Sequence, residues 1–94
     1  MIDQMKPMYR NLRERLIKAE FDAKTQELKV EDLEEALTER KKTKEYHQEH
    51  NLSWTEDAQY HIEEHELQIQ LEKFILYKML HHINHLVKEV EKAK

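Results

Sequence analysis

"HQEHNLSWTE", residues 47 to 56, breaks an apolar periodicity that is regular on either side of it. Asn51 is the best left-handed helix terminator available in a chain without glycine. Two residues later "SWTE" reads as a capping box, with Ser53 and Glu56 capping a new helix reciprocally. One helix therefore ends and another begins within a few residues, and a connection that short folds the second back along the first.

Upstream of the break, steps of seven from Ile2 give Tyr9, Leu16, Ala23, Val30 and Leu37. Three residues further on in each heptad come Met5, Leu12, Ala19, Gln26, Leu33 and Arg40. This is the seam of one continuous coiled-coil-like helix over about residues 4 to 48, with Asp3 as its cap and Pro7 in its first turns. Downstream, Ile62, Ile69, Leu76, Ile83 and Val90 form a second seam, flanked by Ala58, His65, Glu72, Met79, Leu86 and Ala93. That helix is expected over about residues 54 to 92, after a turn at about 49 to 53. Each helix would be about 60 Å long. Folding at Asn51 pairs residues whose numbers sum to about 102, so that small side chains such as Ala19 and Ala23 face large ones such as Ile83 and Met79. The fold class is all-α: two long antiparallel helices in a coiled-coil-like hairpin, one domain over residues 1 to 94.

Composition agrees. The 94 residues contain no glycine, one proline and 38% charged residues, and mean hydropathy is −1.03. Strong apolar periodicity separates the chain from disordered sequences of similar charge. The net charge of −4 does not favour nucleic acid or an anionic membrane as partner. Without cysteine there is no disulfide framework and no thiolate chemistry. "MIDQMKPMYRNLRERL" lacks the apolar core of a secretory signal and no apolar run is long enough to span a bilayer, so a cytoplasmic location is expected.

Ile17, Phe21 and Leu28 on the first helix, and Tyr60, Leu67, Leu71 and Phe74 on the second, fall off the seam. Most lie about 170° from its centre at 100° per residue. "LQIQLEKFILYKML", residues 67 to 80, is apolar almost all round, as in a helix covered on more than one side. A self-interface is expected at Ile17, Phe21, Leu28, Leu67, Leu71 and Phe74, with two hairpins forming a homodimeric four-helix bundle.

"HIEEH", residues 61 to 65, matches the spacing in which two histidines hold zinc and a glutamate activates water. A two-helix rod offers neither a third ligand from another element nor a cleft, so no catalytic residue and no cofactor is expected. His61 with His65 and His81 with His85 are i, i+4 pairs and are the metal candidates, although His61 and His81 face nearly opposite ways. His65 falls at the core edge opposite Leu37, where protonation is unfavourable; assembly is expected to weaken as pH falls from about 7.5 to about 5.5.

Lys6, Arg10, Arg13, Arg15 and Lys18 open the chain, and the hairpin brings Lys88, Lys92 and Lys94 to the same end. Glu20, Asp22, Glu27, Glu31, Asp32, Glu34, Glu35 and Glu39 follow against Lys24 and Lys29, and "RKKTK" leads into the turn. Pairs such as Glu14–Lys18 and Glu20–Lys24 account for most of these charges as a solvated helix surface. Nucleic-acid contact through Arg10, Arg13 and Arg15 is one alternative, and docking of the acidic belt on a basic protein is another.

With its Lys/Glu/Ile-rich, Cys-free and Gly-free composition and segments such as "EHNLSWTEDAQYHIEEHE", the chain resembles small helical accessory proteins of phages and mobile elements of Gram-positive bacteria. That resemblance implies a protein that binds and redirects another protein. The function expected is a non-enzymatic interaction module that self-associates and binds or modulates a protein partner.

Overall fold

The computed structural model describes residues 7–94. Asp3 as a cap, Ile2 and Met5 in the seam, and Lys6 in the basic end lie outside the described residues. Helix α1 spans Pro7–Glu49 and helix α2 spans Glu56–Ala93, and they pack against each other in a rod of 72 × 19 × 15 Å. The all-α antiparallel hairpin is the observed fold.

The turn begins as its sequence suggests. Asn51 has φ 56, the left-handed conformation that asparagine tolerates better than most residues. Its N–H donates to the Gln48 carbonyl at 3.3 Å, and the Leu52 N–H donates to the His47 carbonyl at 2.8 Å. These are the two bonds of a Schellman motif, and they satisfy carbonyls that the end of α1 leaves without helical partners. The start of α2 differs from the capping box expected at Ser53 and Glu56. Thr55 is the cap: its hydroxyl accepts from the Ala58 N–H at 3.1 Å, with Thr55 at φ −75, ψ 157. The Schellman motif uses the chain through Leu52, and Ser53 and Trp54 then span the gap between helices. Glu56 is thereby the first helical residue, not the third, and with Asp57 it places negative charge at the helix N-terminus.

Side chains close the tip of the rod. Gln59 Oε1 accepts from Trp54 Nε1 at 3.2 Å and from Lys44 Nζ at 2.7 Å, joining turn, α2 and α1. Trp54 lies edge-on to His47 at 5.3 Å, while Tyr46 stacks on His50 at 4.1 Å.

Both seams face inward. Ala23, Val30, Ile62, Ile69, Leu86 and Val90 are buried, and the other described apolar seam residues are half-buried. Arg40 departs from the expected seam and is exposed, its long charged side chain being cheapest in water; Lys44 and His47 continue the frame, half-buried. Lys29 meets Glu72 at 3.1 Å and Lys44 meets Gln59, each within a residue of the register expected from the turn.

A polar layer interrupts the core. Gln26 and Glu72 are both buried, and Gln26 Nε2 donates to the Glu72 backbone carbonyl at 3.0 Å and to its carboxylate. The Gln26 amide, and then the Lys29 ammonium, hold the Glu72 carboxyl below its ordinary value of 4.5. A polar pair with one set of partners resists sliding, because any shift of register strands its donors and acceptors. Lys73–Glu34, at 3.3 Å, is a more exposed bridge between the helices and contributes little. Within α1, Lys24 pairs with Glu27 instead of the expected Glu20.

Candidate interaction surfaces

The outward residues of α2 are open to water in spite of their size. Leu67 is 67% exposed, Leu71 58% and Phe74 55%, and Tyr60 and Tyr77 are exposed beside them. The Lys78 ammonium lies 5.5 Å above the Phe74 ring, so the α2 stripe continues through the lysine stem. On α1, Ile17, Phe21 and Leu28 are likewise exposed.

All six residues expected at an interface are thus on the surface, but not on one surface. Each set points away from its own seam, and the two seams point at each other. The α1 set and the α2 set therefore occupy opposite edges of the rod, and no single docking partner lying flat on one edge covers both. Leu28 and Phe74, whose numbers sum to 102, lie at one height along the rod but back to back across it.

The three arginines are also divided. Arg13 and Arg15 leave α1 about 200° apart, on opposite flanks of the helix. The Arg13 guanidinium sits 5.9 Å from the Tyr9 ring, whereas Arg15 borders a different feature. This is an open groove of about 340 Å³ lined by Ala19 and Met79 and edged by Arg15, Lys18, Asp22 and His82. Further along α1, Asp32, Glu34, Glu35 and Glu39 surround an open acidic depression over Ala36 and Thr38.

Of the metal candidates, His61, His81 and His85 are exposed and His65 is half-buried in the seam. No three histidine or carboxylate groups converge on a metal-sized site among the described residues. His65 Nε2 is buried with no hydrogen-bond partner. No helix among the described residues is long and apolar enough to cross a membrane.

The chain matches no protein-family model, no curated protein and no solved structure.

Two features escaped sequence reasoning. The aromatic closure of the tip by Tyr46, His47, His50 and Trp54 depends on how the turn folds. The second, a regular continuation of the α2 outer stripe through Glu64 and Lys78, was present as heptad spacing, hidden because those residues are charged.

Proposed function

We propose that this hairpin is a non-enzymatic interaction module that self-associates through the outer face of α2 and offers the outer face of α1 to a protein partner. The observation that carries it is the exposure of Leu67, Leu71 and Phe74 together on one face of α2. Withdrawing each from water stabilises by about 1.5–3 kcal/mol, and a symmetric dimer counts each of them twice. Two hairpins joined in this way form a four-helix assembly with α2 helices inside and α1 helices outside. Ile17, Phe21 and Leu28 remain open on its outer edges. That arrangement replaces a single interface of six residues with two faces of different roles.

Light scattering on the eluting protein tests it. The wild type is expected at twice the 11.6 kDa chain mass. Phe74→Asp should give the single-chain mass with helical circular dichroism retained, having lost on the order of 3 kcal/mol or more of association energy. Phe21→Asp should leave the dimer intact. A wild-type monomer at high micromolar concentration, or a dimer indifferent to Phe74→Asp, would overturn the proposal.

A further inference from the structure

The outer face of α2 is a second heptad seam, and its charges specify how a second copy lies on it. From Tyr60 the stripe steps by four and three through Glu64, Leu67, Leu71 and Phe74, then through Lys78, His81 and His85. All of these residues are exposed. Alternation of four and three is the spacing that keeps one stripe facing a partner helix over several turns. The apolar trio sits in the middle, with an acidic group on the turn side and basic or ionisable groups on the terminal side. Neither Glu64 nor Lys78 has an ion-pair partner within its hairpin among the described residues.

Two α2 helices meeting on this stripe have two choices of direction. Parallel pairing sets Glu64 beside Glu64 and Lys78 beside Lys78 of the second copy. Antiparallel pairing sets Glu64 beside Lys78 and His81 of the second copy, twice by symmetry. Beyond the stripe the asymmetry is confined to the turn side, where Glu63 and Glu66 flank Glu64; at the far end Lys92 and Lys94 pair with Glu89 and Glu91 of their own helix.

We infer that the partner of this face is a second copy of the chain, bound antiparallel about a two-fold axis between Leu71 and Phe74. Each Leu71 packs against Phe74 of the other copy, and Tyr60 lies opposite His85. The inference rests on the self-association proposed above and adds its direction and register. Like-charge contacts disfavour the parallel form, and the isologous pairing closes at two copies instead of growing into a filament.

Because the chain has no cysteine, single introduced cysteines report this geometry without background. Tyr60→Cys and His85→Cys are made separately, confirmed by light scattering to retain wild-type mass, and treated with a short bismaleimide. Antiparallel pairing holds like cysteines about 37 Å apart and unlike ones in contact, so only an equimolar mixture of the two variants should yield a covalent dimer. Crosslinking of either variant alone would show a parallel dimer and overturn the inference while leaving self-association standing. A dimer that crosslinks in neither case places the interface elsewhere and overturns it as well. A monomeric wild type fails the underlying proposal instead. Charge reversal gives an independent reading. Glu64→Lys should raise the dimer dissociation constant roughly tenfold, and adding Lys78→Glu in the same chain should restore it. No restoration by the double reversal counts against antiparallel pairing.

Discussion

At the scale of single residues, two polar side chains decide where the helices stop and start. Asn51 carries the positive φ that ends α1, a conformation that costs a residue with a bulkier Cβ substituent about 1–2 kcal/mol. Thr55, not Ser53, holds the first free N–H groups of α2, because the Schellman motif and a two-residue link delay the helix start. The substitutions separate cleanly. Thr55→Ala should lower unfolding free energy by about 1 kcal/mol, whereas Ser53→Ala should change it by less than about 0.5 kcal/mol. Urea titration followed by helical circular dichroism measures both, and equal losses would show that the two hydroxyls share the cap.

At the scale of the helices, the two elements have unlike sources of stability. Helix α1 buries only Ala23, Gln26 and Val30 over 43 residues, so packing against α2 and good helix-forming residues carry it. Helix α2 buries Ile62, Ile69, Glu72, Leu86 and Val90 and carries apolar residues outward as well. The Gln26–Glu72 layer sets their register and adds a pH dependence of definite sign. Because Glu72 titrates lower in the hairpin than in the unfolded chain, its stabilisation is full above about pH 4.5 and is lost as pH falls through its folded value. Thermal melts from about pH 6 to about pH 3 should show that loss. Gln26→Leu removes the leading cause and should flatten the decline in this range; an unchanged decline would assign it to other carboxylates.

At the scale of the whole molecule, a rod 72 Å long and only 19 by 15 Å across has too little interior for its apolar residues. Phe21 at 72% exposure and Leu67 at 67% are the consequence of two helices that shield only one stripe each. The association proposed at α2 links folding to concentration. The melting temperature of the wild type should rise with protein concentration, by mass action, while that of Phe74→Asp should stay constant. Parallel concentration series by differential scanning calorimetry distinguish the two, and a concentration-independent wild type would mean that the folded unit is the single hairpin.

The periodicity of Tyr9 to Leu37 and of Ile62 to Val90, with Asn51 between them, determined the hairpin without reference to coordinates. Its physical basis is local: a seam repeats every seven residues on its own helix, and a left-handed asparagine ends a helix whatever surrounds it. The register also followed, since turn position and antiparallel direction leave it little freedom. Three things were decided only in the tertiary structure. The cap moved to Thr55 because bonds around Asn51 and Leu52 consumed the residues before it. Gln26 found Glu72 one turn from its expected layer because side-chain reach is not encoded by heptad letters. Ile17, Phe21 and Leu28 separated from Leu67, Leu71 and Phe74 because heptad position gives a direction relative to one helix axis. Packing two axes face to face turns those directions apart.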